Sequence, residues 1–531
     1  MSFLFDSQEI LVSTLSAAKQ PSSNGNRATP ATQRAKILII GGGYSGIGAA
    51  IRLKKSGIED FILIEKAEKL GGTWRENTYP DCGADTPSII YSFSYARNPD
   101  WDRTFAKQPQ IEQYLDDVAA RFGVLPHVQF DTLAGMGEWD DVAKQWTVET
   151  NHGKIVAKYV IACAGPMHDV AMPDIPGVDM FKGDSFHSAR WNHDVDLTEK
   201  RVAVIGTGAS AMQFLPLIQP KVGKLTVFQR TAPWVMPKLD RRASNWKKLL
   251  YRRFPWINQL VANMIYLGSE GLQLAEAHPK AMEQIQKLGK RHMEKQVKDP
   301  ELRRQFTPTF TMGCKRILFS NKWYPALTAP NTEVVPLGVE QITETGIIDA
   351  DGVEREVDVI IYGTGFRVTD PDIAHRVRGR GGKLLADHWR GSPQAYFSTA
   401  VHGYPNAFIV LGPNVGNGHG SVSTLVELLS DYIVRGIETA EANGLASIEV
   451  KQHVQDVYNA EVQDALRGTV FNAGGCGSYY IDANGRNSAI YPWTTLRFRK
   501  DTKRFDLSDY ETTVVTPPEP TAPAEREAVP A

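Results

Sequence analysis

The stretch KILIIGGGYSGIGAAIRLKK, residues 36–55, decides the fold. Its opening run up to Ile40 is apolar and β-branched, which is typical of a parallel strand buried on both faces. Gly41, Gly43 and Gly46 then form a G-x-G-x-x-G loop, and the residues that follow continue at helical spacing. Glycine is needed there for the tight turn, for close approach of the backbone to a pyrophosphate and for packing of helix on strand. The stretch predicts a Rossmann-like dinucleotide-binding unit.

The strand that follows this unit indicates which dinucleotide it holds. The apolar segment FILIE ends in Glu65, 24 residues after Gly41. A carboxylate at that distance accepts hydrogen bonds from ribose hydroxyls, and it would repel a 2′-phosphate. The N-terminus of the helix offers unpaired N–H groups and a positive dipole to the phosphates. We therefore expect an adenine cofactor without a 2′-phosphate, namely FAD or NAD.

A second strand–loop–helix pattern, RVAVIGTGASAMQFLPLI, places Gly206, Gly208 and Ala211 in a G-x-G-x-x-A loop. The strand after it ends in Arg230 and Thr231 instead of an acid. A guanidinium at the ribose end can hold a 2′-phosphate through two hydrogen bonds, which favours NADPH. Two units with opposite charges at matched positions predict one chain that binds both FAD and NADPH.

Composition limits the other functions. The 531 residues suffice for two or three domains, and a formal net charge of −1 gives no basic footprint for nucleic acid or an anionic membrane surface. No apolar run approaches the roughly 20 residues of a membrane span, and the N-terminus lacks the pattern of a secretory signal. We expect no nucleic-acid or membrane partner, no metal, and a cytoplasmic location; the oligomeric state is unreadable.

The cysteines carry a separate expectation. Cys82, Cys163, Cys314 and Cys476 are far apart and form no C-x-x-C pair. Free thiols in a reducing compartment are the economical interpretation. The missing pair also argues against a dithiol reductase, one of the chemistries that use FAD and NADPH together.

The predicted fold class is α/β, with two Rossmann-like dinucleotide-binding domains, the NADPH domain being inserted into a discontinuous FAD domain. Residues 241–305 lack strand signals and predict a helical insertion. The apolar run VDVIIYGTGF, residues 357–366, is expected to pair with the FAD unit. The predicted segments are a flexible leader (1–34), the N-terminal half of the FAD domain (35–180), the NADPH domain (181–345), the C-terminal half of the FAD domain with a lid (346–515) and a disordered tail (516–531).

Two longer patterns resemble signatures of the Baeyer–Villiger monooxygenases, which are flavoproteins that insert oxygen beside a ketone carbonyl. Before the second glycine loop, F-x-G-x-x-x-H-x-x-x-W is matched by Phe181, Gly183, His187 and Trp191. Asn192 follows, where that family usually has Pro or Asp. We expect His187 to be a structural brace rather than a base.

The second signature of that family is [A/G]-G-x-W-x4-[F/Y]-P-[G/M]-x3-D. The stretch GGTWRENTYPDCGAD, residues 71–85, matches it at Gly71, Gly72, Trp74, Tyr79, Pro80 and Asp85. Asp81 stands where Gly or Met is usual. The resemblance extends over roughly residues 36 to 500.

The resemblance implies roles for individual residues. Arg316, after Lys315 in TMGCKRILFSNKWYP, resembles the catalytic arginine, and Asp85 resembles the acid that pairs with it. Lys315 resembles a ligand of the 2′-phosphate. The residues expected to bind the cofactors are Gly41, Gly43, Ser45, Gly46, Glu65, Thr73, Trp74, Asp85, Tyr91, Gly206, Gly208, Ala209, Ser210, Ala211, Arg230, Thr231 and Lys315.

The implied reaction converts a ketone and O2 into an ester or lactone. Oxygen would add to FAD reduced by NADPH, giving a flavin C4a-peroxide that a fixed arginine charge keeps ionised. Related flavin monooxygenases that oxidise N or S atoms remain the alternative, and a dinucleotide sensor is a third. The sequence does not identify the ketone. The residues that could line an apolar substrate pocket, or equally belong to the core, are Trp234, Met236, Trp256, Phe319, Trp323, Tyr479 and Trp493.

Overall fold

A computed structural model describes residues 32–418 and 420–514. Two sheets organise them, a mixed sheet with parallel central strands and an all-parallel sheet whose strands are inserted along the chain between those of the first. The strands are β1 (Thr32–Ile40), β2 (Phe61–Ile64), β3 (Val128–Gln129), β4 (Ala134–Asp140), β5 (Gln145–Thr150), β6 (Gly153–Ala162), β7 (Asp184–His187), β8 (Arg201–Ile205), β9 (Lys224–Phe228), β10 (Val235–Met236), β11 (Leu318–Phe319), β12 (Thr332–Val335), β13 (Val339–Ile342), β14 (Gly346–Asp349), β15 (Glu354–Glu356), β16 (Val359–Tyr362), β17 (Val377–Arg378), β18 (Ala407–Ile409), β19 (Leu445–Val450) and β20 (Tyr510–Val514).

The α-helices lie between these strands and cover the sheets. They are α1 (Tyr44–Lys55), α2 (Thr73–Glu76), α3 (Gln108–Arg121), α4 (Ala209–Ile218), α5 (Asn245–Arg253), α6 (Pro255–Glu276), α7 (Pro279–Gln296), α8 (Pro300–Phe306), α9 (Trp323–Leu327), α10 (Leu385–Trp389), α11 (Val422–Ala442), α12 (Gln452–Leu466), α13 (Val470–Ala473) and α14 (Thr495–Asp501).

The first sheet has the strand order β17-β4-β5-β6-β1-β2-β3, with β18 also paired to β6. Strand β1 runs parallel to β2 and β6, with Ile40 opposite Ile64 and Ala162. Apolar side chains of β1 and β2 pack with those of α1 and α11 in the largest core cluster. The carboxyl ends of β1, β2 and β6 therefore meet at one edge, where the first glycine loop begins.

The second sheet has the order β12-β9-β8-β16-β7, and all of its pairs are parallel. Its strands come from residues 184–362, between the two sets of strands of the first sheet. The insertion of one dinucleotide-binding unit into the other is thereby confirmed.

The structure corrects the placement of one strand. β16 pairs with β7 and β8 of the second sheet, so the expectation that residues 357–366 join the FAD unit is wrong. An apolar β-branched run predicts a buried strand but does not determine which sheet it enters. The second sheet consequently reaches beyond residue 345. The positions of the domain boundaries themselves stay predictions.

The predicted helical insertion is confirmed. Helices α5 to α8 follow one another from Asn245 to Phe306 with only short connections. Among the residues that the structure covers, no helix combines the length and the apolar character that crossing a membrane requires.

The ends of the chain differ from expectation in one respect. Residues 32–34 belong to β1 and pair with residues 154–156 of β6, so the predicted leader of residues 1–34 is wrong over these three positions. The rest of the leader and the tail at 516–531 lie outside the described residues.

Candidate functional site

A cavity of about 1330 Å3 runs between the two sheets. This exceeds the roughly 300–1,000 Å3 of ordinary small-molecule pockets. The loops that line it follow the carboxyl ends of β1, β6, β8 and β16, which is where open parallel sheets bind ligands. The cavity therefore spans both glycine loops.

The first glycine loop has a geometry that only glycine permits. Gly41 has φ +105°, and a Cβ there would lie 2.6 Å from the carbonyl oxygen of Cys163. A Cβ on Gly46 would lie 1.9 Å from the carbonyl oxygen of Gly41. Gly43 caps α1, so the free N–H groups of the first turn of this helix face the cavity end of β1. The backbone is open to a pyrophosphate at this point.

Glu65 is buried at the end of β2 and lines the cavity. Its Oε2 accepts a hydrogen bond from the N–H of Gly42 at 2.8 Å, and its Oε1 accepts one from Arg75 Nη1 at 2.9 Å. The Arg75 ion pair holds the carboxylate in place. Lone pairs remain on both oxygens for the ribose hydroxyls of a dinucleotide.

The loop GGTWRENTYPDCGAD contributes a wall of the same cavity. Its α2 segment carries Thr73 and Trp74, and the Trp74 indole N–H donates to the hydroxyl of Tyr91 at 3.0 Å. The two rings meet edge to face, with centroids 5.6 Å apart. Burial raises the pKa of Tyr91 to about 12, so its hydroxyl stays protonated. This pair fixes one polar edge of the cavity wall.

The second glycine loop repeats the geometry of the first. Gly206 has φ +102°, and a Cβ there would lie 2.5 Å from the carbonyl oxygen of Gly363, which follows β16. Gly208 caps α4, and Ala209 and Ser210 begin the helix beside the cavity. The backbone after β16 thus packs against the second glycine loop, just as the backbone after β6 packs against the first.

Arg230, Thr231 and Lys315 line the cavity at the ribose end of this second unit. Burial and then the nearby Arg230 lower the pKa of Lys315. Arg230 and Lys315 are close enough to repel each other, and an anion bound between them would relieve this repulsion. The arrangement suits a phosphate group.

Arg316 lines the cavity as well, partly buried. Burial alone would lower its pKa, but the neighbouring Tyr479 and Asp85 outweigh burial, and the pKa of Arg316 is raised. The guanidinium therefore carries a permanent positive charge inside the cavity.

Asp85 does not pair with Arg316 directly. Within residues 32–418 and 420–514, Arg316 has no ion pair within 4.0 Å, whereas Asp85 Oδ1 lies 3.5 Å from Lys238 Nζ. Gln213 Nε2 also donates to Asp85 Oδ1, at 3.3 Å. The expected contact is wrong, although Asp85 still acts on the charge of Arg316 through space.

Lys238 and Gln213 are the residues that the sequence analysis missed. Gln213 is on α4, and Lys238 follows β10. Gln213 accepts from the N–H of Gly83 at 3.0 Å and so ties the second unit to the loop that carries Asp85. Neither residue belongs to a recognisable motif, and only the polar face of the helix after the second glycine loop could have pointed to Gln213.

The structure brings almost all of the predicted residues together. The exceptions are Gly46 and Ala211, which do not line the cavity, since their positions in the motif serve to pack helix on strand. Of the apolar candidates, Tyr479 lines the cavity with Gly477 and Ser478, but Trp323 lies in the core and Trp256 is 64% exposed.

The cysteines correct a further expectation. Cys314 and Cys476 form a disulfide, whereas Cys82 and Cys163 are free and buried. Their separation of 162 residues explains why sequence spacing gave no sign of the pair. The bond joins the segment two residues before Arg316 to the segment that supplies Gly477 and Tyr479 to the cavity.

His187 lies where a brace is expected. It is buried at the end of β7, and its Nδ1 accepts from the N–H of Ala189 at 3.1 Å. Burial, with a smaller effect from Arg190, lowers its pKa to about 4, so the ring is neutral near pH 7. It does not line the cavity.

The chain is similar in sequence to known proteins. The family described as FMO-like, flavin-binding monooxygenase-like, matches residues 34–378. A Baeyer–Villiger monooxygenase of Streptomyces coelicolor is 43% identical over 482 residues, covering 90% of this chain and 93% of its own. Another, from Pseudomonas aeruginosa, is 43% identical over 504 residues, covering 93% and 96%.

Solved structures agree with the sequence comparison. A cyclohexanone monooxygenase from Rhodococcus sp. Phi1, crystallised with NADP+, has a TM-score of 0.81 at 26% identity, covering 91% of this chain and all of its own. The OTEMO complex with FAD and NADP gives 0.81 at 26% identity, covering 92% of this chain and all of its own. By sequence, by fold and by the geometry of its two glycine loops, this chain belongs to the flavin-binding monooxygenase-like family, among the Baeyer–Villiger monooxygenases.

Proposed function

We propose that the protein is an FAD-dependent, NADPH-consuming Baeyer–Villiger monooxygenase that converts a ketone and O2 into an ester or lactone. Bound FAD and NADPH would supply the hydride and the activation of oxygen. The observation that carries the proposal is the position of Arg316, a permanent cation in the cavity that both glycine loops line. The relatives of the same name and the neighbours crystallised with FAD and NADP support it.

The first unit would hold FAD. The backbone of Gly41 and Gly43 and the first turn of α1 would bind the pyrophosphate, with Ser45 lining the same end of the cavity. Glu65 would accept hydrogen bonds from the ribose hydroxyls, oriented by Arg75. Thr73 and the Trp74–Tyr91 pair, which also line the cavity, would contact the same cofactor.

The second unit would hold NADPH. The backbone from Gly206 to Ser210 would bind its pyrophosphate at the N-terminus of α4. Arg230, Thr231 and Lys315 would bind the 2′-phosphate, which relieves the unfavourable proximity of the two cations.

Arg316 would stabilise negative charge on the reacting oxygen as it attacks the ketone carbonyl. An anion in a cavity with little water is costly unless a fixed cation is close. Arginine suits this role because it does not give up its proton, whereas a buried lysine loses its proton more readily and could quench the oxygen nucleophile. Asp85 would favour this charge through space, and Tyr479 would help to exclude water from that side.

The test compares wild type with Arg316→Ala, using a panel of cyclic, linear and aryl ketones and following NADPH, hydrogen peroxide and ester or lactone. We expect the variant to keep oxidising NADPH but to lose at least about 100-fold in ester formation, with oxygen diverted to hydrogen peroxide. Arg304→Ala, on the exposed face of α8, is the matched control and should behave as wild type.

Two results would contradict the proposal. A normal ester yield in Arg316→Ala would remove the arginine from the reaction. A wild type that oxidises sulfides or amines but leaves every ketone untouched would assign the protein to heteroatom oxidation instead.

A further inference from the structure

Helix α6 presents an apolar stripe to solvent. Its members recur at intervals that place them on one face of a helix, and between 51% and 65% of each is exposed: Trp256, Leu260, Met264, Leu267 and Leu274. No charged residue occurs from Phe254 to Ser269. Contiguous apolar surface of this kind marks an interaction site more often than isolated exposed residues do.

Four of the five buried residues of α6 are polar or charged, and their contacts fix the orientation of the helix. Its buried residues include Asn258, Glu270, Gln273 and Glu276. Gln273 Oε1 accepts from the N–H of Gly418 at 3.3 Å, and Glu270 Oε2 accepts from the N–H of Leu496 at 3.4 Å. Rotating the stripe inward would break these bonds and leave buried polar groups unpaired, at a considerable cost.

A basic run, residues 241–253, leads directly into the apolar stripe. It contains Arg241, Arg242, Lys247, Lys248, Arg252 and Arg253 and no acidic residue. Lys248 pairs with Asp102 and Arg252 pairs with Asp100. The other four are exposed and, in the described stretches of the chain, have no carboxylate within 4.0 Å. The whole-chain net charge of −1 conceals this local excess of positive charge.

The charge of the basic run argues against a second copy of the chain as the partner. A two-fold contact through the stripe puts the same surface on both sides of the interface. Such a contact brings two basic runs towards each other, and like charges across an interface oppose association. The partner should have a negatively charged surface and an apolar interior directly beneath it.

A bilayer with anionic phospholipids has these properties. Helices that lie in the membrane interface bury an apolar face containing Trp and Leu and direct Lys and Arg to the headgroups. Basic segments beside such helices bind anionic lipids, and Trp is favoured at the headgroup level. Within the basic run, Trp246 and Leu249 of α5 are 69% and 65% exposed and add apolar surface next to its cations in the sequence.

We propose that α5 and α6 dock the protein on the surface of an anionic phospholipid bilayer. The apolar stripe enters the headgroup boundary with α6 parallel to the membrane plane, and the basic run contacts the phosphates. The proposal concerns a surface contact, not a membrane span, and it does not depend on the reaction in the cavity.

The test is co-sedimentation of the full-length, FAD-loaded protein with vesicles. We expect it to pellet with vesicles of phosphatidylcholine and phosphatidylglycerol in equal amounts, and much less with phosphatidylcholine alone. Binding should weaken strongly between about 0.1 M and about 1 M salt, because the headgroup contacts are screened. Met264→Gln with Leu267→Gln should lower the affinity at least about tenfold. Lys247→Gln with Arg253→Gln, which removes two of the four cations that have no carboxylate partner in the described part of the chain, should reduce the salt dependence by about half.

A matched control uses exposed apolar residues elsewhere. Val142→Gln with Val353→Gln, 94% and 49% exposed in wild type, should leave vesicle binding unchanged. All variants should keep the wild-type rate of NADPH oxidation with a water-dissolved ketone. No pelleting at low salt, or equal pelleting of the Met264→Gln, Leu267→Gln variant, would overturn the proposal. A concentration-dependent dimer that this variant abolishes would assign the stripe to self-association, against the proposal.

Discussion

Lys238 Nζ lies 3.5 Å from Asp85 Oδ1, and only 13% of each side chain is exposed. Asp85 comes from the loop after α2, and Lys238 follows β10 at the start of the segment that leads to the helical insertion. The pair therefore joins the first unit to the second. Gln213 makes a parallel connection from α4 to the same carboxylate oxygen.

The first prediction concerns the strength of this pair. Lys238→Met should lower the free energy of unfolding by about 1–3 kcal/mol, because a largely buried carboxylate loses its cation. Asp85→Asn in the same chain should recover some of that loss, since no uncompensated charge then remains. Chemical unfolding of both single variants and the double variant gives the coupling energy. Strictly additive losses would show that the two side chains do not interact.

The second prediction separates the two nicotinamide coenzymes. Arg230→Ala should raise the KM for NADPH by about 10- to 100-fold, the loss expected for a charge-assisted hydrogen bond to phosphate. The KM for NADH should hardly change, because NADH has no 2′-phosphate. Steady-state kinetics with both coenzymes measures this, with Lys221→Ala, an exposed lysine before β9, as the control. Equal changes for both coenzymes would remove Arg230 from 2′-phosphate recognition.

What the sequence predicts well follows from local backbone chemistry. Gly41 and Gly206 adopt backbone conformations that disfavour side chains, and they lie against the carbonyl groups of Cys163 and Gly363. A loop that requires glycine at fixed positions is recognisable in the sequence, whatever its tertiary surroundings. The two nested units, their glycine loops and the acid or base at the end of the next strand were therefore predictable.

What the sequence does not predict depends on contacts between distant segments. β16 joins the second sheet because of its neighbours, β7 and β8, and not because of its own composition. Lys238 and Asp85 are far apart in the sequence, and their contact depends on how the segment before the helical insertion packs on the loop after α2. The outward face of α6 has the same apolar periodicity as a buried face, so its orientation depends on where its polar residues find partners.

The third prediction concerns stability in acid. Burial and then Arg190 hold the pKa of His187 at about 4, whereas an unfolded histidine titrates near about 6.5. Between these two values the unfolded chain binds the extra proton, so stability falls as the pH falls from about 6.5 towards 4 and does not depend on this group above that window. His187→Asn, which keeps a hydrogen-bond acceptor for Ala189, should reduce the acid loss by at most about 3 kcal/mol.

The measurement for His187 is chemical unfolding at several pH values between about 7 and 4. The exposed His152, substituted in the same way, serves as the control and should leave the acid slope unchanged. An identical slope in wild type and His187→Asn would mean that folding does not lower the pKa of His187.

The disulfide between Cys314 and Cys476 gives the last prediction. It links two segments 162 residues apart, one leading to Arg316 and the other to Gly477 and Tyr479 on the cavity wall. A cross-link over so long a loop restricts the unfolded chain and is worth about 2–4 kcal/mol. Reduction should therefore lower the thermal midpoint of the wild type, and it should lower ester yield per NADPH because the wall beside Arg316 is released.

Cys476→Ser isolates the disulfide from other effects of a reductant. This variant should already show the lowered thermal midpoint, and a reductant should not change it further. Thiol titration of the denatured wild type should count two free thiols, from Cys82 and Cys163, and four after reduction. Four thiols before reduction would show that the bond is not formed in the purified protein. Wild type and Cys476→Ser should then be equally stable, because neither would contain the cross-link.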